Sequence, residues 1–177
     1  MLKEIFEASE VIESAIRGRL LVYKGRVKLG GLEGLLSKLR NVEELQIIGC
    51  GSAYYAGQVG RFMLEEYAHI KTIVELGSEY RYKRVFSGNN KAVICVSQSG
   101  ETSDTKASLI KAKEKGLLTL GIVNVVGSAI AREIDAGVYN HAGPEIAVAS
   151  TKAFLSQLTV FVLIYVYWTW LACSDCL

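Results

Sequence analysis

Proline is nearly missing from this 177-residue chain, with Pro144 its only instance. That argues against disordered linkers, where proline concentrates. Histidine is almost as scarce: His69 and His141 are the whole supply, and no Ser-His-Asp arrangement is evident. Charge of one sign is also lacking. The net charge is +2 and no basic patch is interleaved with aromatics, so nothing points to nucleic acid. The four cysteines, Cys50, Cys95, Cys173 and Cys176, are too few for a disulfide framework at this length. Cys50 and Cys95 lie in or beside apolar runs, where cysteine acts as a small hydrophobe. Cys173-Ser-Asp-Cys176 is a lone CxxC without the two further ligands that zinc needs. No metal and no cofactor are expected, and a reducing cytoplasm is the expected location. The opening Met1-Leu2-Lys3-Glu4 has no apolar core of a signal peptide. Long apolar runs are confined to Leu158–Cys173, interrupted only by Thr159 and Thr169. That is shorter than the roughly 20 residues of a spanning helix, so a buried helix is expected and no membrane. A helix apolar all round must still be covered. The chain is therefore expected to form at least a homodimer.

What is present is a succession of short apolar strands and helices. Residues 2–20 read as one amphipathic helix, with Leu2, Ile5, Phe6, Ser9, Ile12, Ile16 and Leu20 on its apolar face. A glycine-containing loop and a short helix over Gly31–Leu39 follow. From residue 44 the chain alternates: strand 45–48, helix 53–69, strand 72–76, strand 91–96, helix 103–115, strand 117–123, short helix 128–133, weak strand 137–140, and a last helix from about residue 149 to 170. Continuous apolar strands alternating with helices predict an α/β fold, a three-layer αβα sandwich around a five-stranded parallel sheet. The division expected is a helical lead-in over 1–40 and a sheet domain over 41–177.

The chemistry concentrates where two strands end. Val93-Ile94-Cys95-Val96 runs into Ser97-Gln98-Ser99-Gly100-Glu101-Thr102 and then a helix. Ser97, Ser99, Thr102, Ser103 and Thr105 place five hydroxyls within nine residues, more than helix capping requires. A phosphate monoester only accepts hydrogen bonds, so its cradle is built from hydroxyls, backbone N–H groups and a helix N-terminus. The loop lacks the lysine of a nucleotide P-loop. It reads as a site for one phosphate on a small molecule. Gly49-Cys50-Gly51-Ser52-Ala53 ends the earlier strand. It lacks the third glycine and the acidic residue of a dinucleotide fingerprint, and reads as a close-approach turn bringing Ser52 to the same phosphate. Around Glu145–Phe154, Ser150-Thr151 reads either as a helix cap or as a contact to a sugar hydroxyl. Glu101 and Glu145 lie near this cleft, but neither is a convincing general base.

Several of these segments together carry a resemblance. SQSGET at 97–102 with Asp104-Thr105, GCGSAYYAG at 49–57, ELGSEYRY at 75–82, NVVGSAIARE at 124–133 and VASTKAFLSQLTV at 148–160 resemble the first sugar isomerase (SIS) domain of the glucosamine-6-phosphate synthase family, the isomerizing glutamine–fructose-6-phosphate aminotransferases. The opening MLKEIFEASEVIESAIRGRL is similar to the segment that begins that family's isomerase half. The resemblance implies a flavodoxin-like SIS fold and a role in glucosamine 6-phosphate synthesis. It implies that Ser52, Ser97, Gln98, Ser99 and Thr102 hold the phosphate of fructose 6-phosphate and that Val148 and Ser150 contact the sugar. Ser52-Ala53 stands where the family usually has Thr-Ser, which removes one hydroxyl. The family's glutaminase domain is not found in the chain. Nor is its second SIS domain, with the proton-transferring glutamate, the ring-opening histidine and the imine-forming lysine. No catalytic residue is therefore expected here. Two other readings stand beside this one. A stand-alone ketose–aldose phosphate isomerase would have to use Glu145 or Glu79 with His141; a non-catalytic sugar-phosphate sensor would need neither.

Overall fold

The computed structural model describes residues 1–173; Cys176 of the CxxC, and the predicted domain end at residue 177, lie outside the described residues. The lead-in comprises α1 (Leu2–Phe6), α2 (Ala8–Ile16), an antiparallel pair β1 (Leu20–Leu21) and β2 (Arg26–Val27), a 3-10 stretch Gly30–Leu35, and α3 (Leu36–Arg40). The sheet unit follows as β3 (Glu44–Gly49), α4 (Ser52–Ala68), β4 (Lys71–Leu76), α5 (Gly77–Tyr80), β5 (Lys91–Ser97), α6 (Ser103–Glu114), β6 (Leu118–Val123), α7 (Ala129–Glu133), β7 (Ala136–Tyr139) and α8 (Lys152–Cys173). Five strands lie in the order β4-β3-β5-β6-β7, every pair parallel. This is the three-layer arrangement expected.

The layers follow from period-2 side-chain alternation on strands buried on both faces. Leu45, Ile47, Ile94 and Val96 face Ala53, Ala56 and Leu64 of α4 and Phe161 and Ile164 of α8. Ile48, Val93 and Cys95 face Leu109 and Ala112 of α6, Ile130 of α7 and Tyr80 of α5. On that second face a buried polar contact joins sheet to helix: the Tyr80 hydroxyl donates to Gln46 Oε1 at 2.8 Å.

One expectation is corrected. The single leading helix is broken by a turn at Glu7, and its inner side is not the predicted one. Leu2, Ile5, Phe6, Ile12 and Leu20 are exposed, whereas Glu4, Val11 and Ala15 are buried. Val11 packs with Ala142 and Ala153. The acidic side of α1 turns inward because Glu4 and Glu7 find hydrogen-bond and ion-pair partners in residues 146–152, which periodicity does not foresee. α8 is the buried helix expected. Its 22 residues are long and apolar enough to cross a membrane by length and composition, but half of the most apolar window is buried inside the fold. α4, α2, α3 and β2 cover it, and Trp168 Nε1 donates to the Leu39 carbonyl at 3.2 Å. Among its described large apolar side chains only Val162 is classed as exposed. This is a core helix, and it does not by itself require a second copy.

Candidate functional site at the switch point of the sheet

The strand order reverses between β3 and β5: β3 has β4 on one side and β5 on the other. In parallel α/β sheets ligands bind outside the carboxyl ends of the strands at such a point. The two turns expected to carry chemistry leave these two strands. Between them lies a cleft of about 210 Å³. Ser52, Ser97, Gln98, Ser99, Thr102, Val148 and Ser150 all line it. The structure therefore brings these seven residues together, although Val148 and Ser150 lie some 45 to 100 residues further along the chain.

Two helix N-termini open onto this cleft without side-chain caps. α4 starts at Ser52 behind Gly51, whose φ of 56° and ψ of −130° suit glycine alone. α6 starts behind Thr102, which occupies the N-cap position yet makes no side-chain cap bond. Its Oγ1 instead meets Ser97 Oγ at 3.0 Å. Ser97 Oγ also accepts the Gly100 N–H at 3.0 Å, and Ser99 Oγ accepts the Glu101 N–H at 3.1 Å. The hydroxyl oxygens thus fold the turn on itself as acceptors. The Ser99 proton stays available, and so does one proton of the Ser97–Thr102 pair. At the start of α4 the Ala53 and Tyr54 N–H groups already bond to the Cys50 and Gly51 carbonyls, so the start of α6 and the free hydroxyl protons are the donors that suit an anion. No lysine or arginine lines the cleft, so its positive potential comes from neutral donors and the dipoles of α4 and α6. Not all five hydroxyls take part. Thr105 is fully buried with Cys50 Sγ 3.6 Å from its Oγ1, and Ser103 is outside the lining.

The turn is braced from behind by α7. The Gly100 carbonyl accepts from Ile130 N at 2.9 Å, and Glu101 Oε1 accepts from Ala129 N at 2.8 Å. Glu101 is thereby a cap for α7 and does not line the cleft.

The opposite wall is the segment 145–152. Glu145 Oε1 accepts from Thr151 N at 2.7 Å, Ala153 N at 3.2 Å and Thr151 Oγ1 at 3.3 Å, and Oε2 accepts from Ser150 Oγ at 3.1 Å. This carboxylate caps α8 and is saturated by that task. Ser150 donates its proton to Glu145, so toward the cleft it offers only lone pairs. Glu4 accepts from Ile146 N at 2.7 Å and Ala147 N at 3.3 Å. The Ile146 amide, ahead of the opposing effect of burial, holds the Glu4 carboxyl below the usual carboxylate range.

Gln157 was not foreseen as a site residue. It lines the cleft, is 1% exposed, and its Oε1 has no partner among the described residues. A buried amide oxygen without a donor costs free energy until something supplies one. The signal was the polar pair Ser156-Gln157 in an otherwise apolar helix. Ser156 is engaged by the Asn140 carbonyl, which leaves Gln157 as the informative member.

The remaining candidates lie elsewhere. His69 and His141 are exposed residues with left-handed backbone, φ 54° and 53°, and neither lines the cleft. Burial, then Arg19, lowers the His141 pKa. Glu79 is exposed on α5 and also outside the cleft. Burial pushes the Cys95 thiol up to about 12, which suits an inert core residue. Among the described residues no group of three or more His, Cys, Asp or Glu could hold a metal ion.

Comparison with known proteins agrees with this fold. The SIS-domain family matches residues 38–167. An isomerizing glutamine–fructose-6-phosphate aminotransferase of Chlorobaculum tepidum is 49% identical over 160 residues, covering 90% of this chain and 26% of that protein. Its counterpart in Aquifex aeolicus is 46% identical over 159 residues, covering 90% of this chain and 25% of that protein. The solved C-terminal domain of glucosamine-fructose-6-phosphate aminotransferase from Francisella tularensis superposes with a TM-score of 0.90 at 34% identity, over 100% of this chain and 48% of that one. The chain thus spans about a quarter of the length of the curated relatives it matches.

Proposed function

Because the chain belongs to the SIS-domain family, we propose that its cleft binds a hexose 6-phosphate, fructose 6-phosphate first. We propose that it does so as the substrate-anchoring half of the isomerase part of a cytoplasmic glutamine–fructose-6-phosphate aminotransferase. In this reading Ser52, Ser97, Gln98, Ser99 and Thr102 hold the phosphate, and Val148 and Ser150 contact the sugar. The supporting observation is the polarity of the cleft. Among the lining groups, Ser99, Thr102 and the start of α6 offer donors. Ser150 Oγ and the unpartnered Oε1 of Gln157 offer acceptors, and in this reading they make the other end. A phosphate dianion only accepts, and sugar hydroxyls can donate. A phosphorylated sugar lying along the cleft satisfies both ends, whereas inorganic phosphate satisfies only one.

The reaction needs a base, and the one carboxylate that lines the cleft, Glu145, is occupied by four hydrogen bonds. A stand-alone isomerase built on Glu145 and His141 is therefore not favoured. The chain alone binds without turning over, and chemistry awaits a second SIS domain and a glutaminase domain, for which the length of the relatives leaves room.

Calorimetric titration with fructose 6-phosphate tests this. Ser99→Ala and Thr102→Ala should each weaken binding by about 1–3 kcal/mol, the scale of a hydrogen bond to a charged group, with melting temperatures close to wild type. Unchanged affinity in both variants, or isomerisation by the purified chain, would overturn the reading.

A further inference from the structure

The sugar-facing wall of the cleft is held from outside the segment that matches the SIS family. Residues 145–151 belong to no helix or strand, so their amides need partners other than a ladder. Packing does not hold this wall either: Ile146 is 90% exposed and Val148 fully so. The ties are polar, and two of them come from the lead-in. Glu4 on α1 accepts from Ile146 N and Ala147 N. Glu7, between α1 and α2, reaches Lys152 at 2.6 Å. Lys152 is the first residue of α8 and only 6% exposed, a cation that is costly to leave unpaired. The two acids therefore grip the wall on either side of Val148 and Ser150.

We propose that the α1–α2 lead-in is a strap that sets the position of the 145–151 wall, and that Glu4 and Glu7 are positioning residues for the sugar end of the ligand. This rests on the reading of the cleft as a sugar-phosphate site. The phosphate turn 97–102 has an independent brace in α7. Loosening the strap therefore moves Val148 and Ser150 and leaves the phosphate donors where they are.

The test is a pair of titrations on the full chain, with fructose 6-phosphate and with inorganic phosphate, for wild type, Glu4→Ala, Glu4→Gln and Glu7→Gln. Glu4→Ala should raise the Kd for fructose 6-phosphate roughly tenfold, the scale of a lost charge-assisted hydrogen bond, while the Kd for inorganic phosphate stays within about twofold. Glu4→Gln keeps one carbonyl acceptor and should fall between wild type and Glu4→Ala; Glu7→Gln should show the same selectivity for the sugar ligand. A merely structural loss would lower the melting temperature without separating the two ligands. Equal weakening of both ligands, or of neither, would overturn the strap. Should wild type bind neither ligand, the proposed function fails. The strap is then decided without ligand, by hydrogen exchange at the Ile146 and Ala147 amides. Exchange accelerated by Glu4→Ala supports the strap, and unchanged exchange rejects it.

Discussion

Gly100 carries two demands that no other residue meets together. Its φ is +67°, in the left-handed region, and a Cβ built on it would lie 1.9 Å from Ser128 Oγ and 2.5 Å from Ser128 Cβ. Ser128 precedes α7, the helix that braces the turn 97–102. Gly100→Ala therefore strains the turn and pushes it off its brace. Backbone strain of this kind costs about 1–3 kcal/mol before the clash is added. The expected outcome is a lower urea midpoint with a disproportionate loss of phosphate binding; an unchanged midpoint would show that the turn is less constrained than its geometry implies. At this scale much of the site was legible. Ser52, Ser97, Ser99 and Thr102 line one cleft because donor chemistry clusters visibly at strand ends, whereas Gln98 and Val148 follow only from the family resemblance. Gln157 and Glu4 were not legible. Their significance lies in an orphaned oxygen and in contacts across more than 140 residues, and local sequence encodes neither.

Glu44 shows how one residue can tie elements together. It begins β3 and bonds to Lys71 of β4 at 2.8 Å and Lys91 of β5 at 3.1 Å. The hydrogen bond from Lys71 is the main cause that brings its carboxyl from 4.5 down to about 2, with burial opposing. A carboxyl depressed on folding contributes stability above its unfolded pKa and loses it as pH falls through the folded one. The difference in melting temperature between wild type and Glu44→Gln should therefore be largest above a pH of ~5 and shrink as the pH is lowered toward about 2. A difference independent of pH would mean that the charge contributes nothing. The strands themselves were readable because both sheet faces are buried, giving the short apolar runs 45–48, 91–96 and 118–123. The lead-in departs from its sequence pattern for the opposite reason. Its apolar periodicity points outward, because polar ties to residues 146–152 outweigh the burial of Leu2, Ile5 and Phe6. The pair β1–β2 and the one-turn α5 are too short to leave a periodic signal.

On the scale of the whole molecule, with α8 covered from within, the question of pairing moves to α4. Gly60 lets this helix approach α8 so closely that a Cβ there would lie 2.5 Å from the Phe161 ring. α4 buries Ala53, Ala56, Gly57, Gly60 and Leu64 on that inner side. Its outer side carries Tyr55, Val59 and Phe62 at i, i+4 and i+7, all exposed. These form one stripe on a rigid 17-residue helix. Another exposed apolar group, Leu2, Ile5 and Phe6, sits on a five-residue helix. The stripe is the surface on which the homodimer expected from the sequence is to be tested. Burying a Phe side chain contributes about 1.5–3 kcal/mol, and a twofold interface counts each residue twice. Phe62→Glu should therefore convert a dimer to a monomer in sedimentation velocity and remove any concentration dependence of the melting temperature, whereas Phe6→Glu should leave the dimer intact. A wild-type chain that sediments as a monomer would remove the second copy from the argument. It would leave the stripe to the part of the relatives' length that this chain does not span.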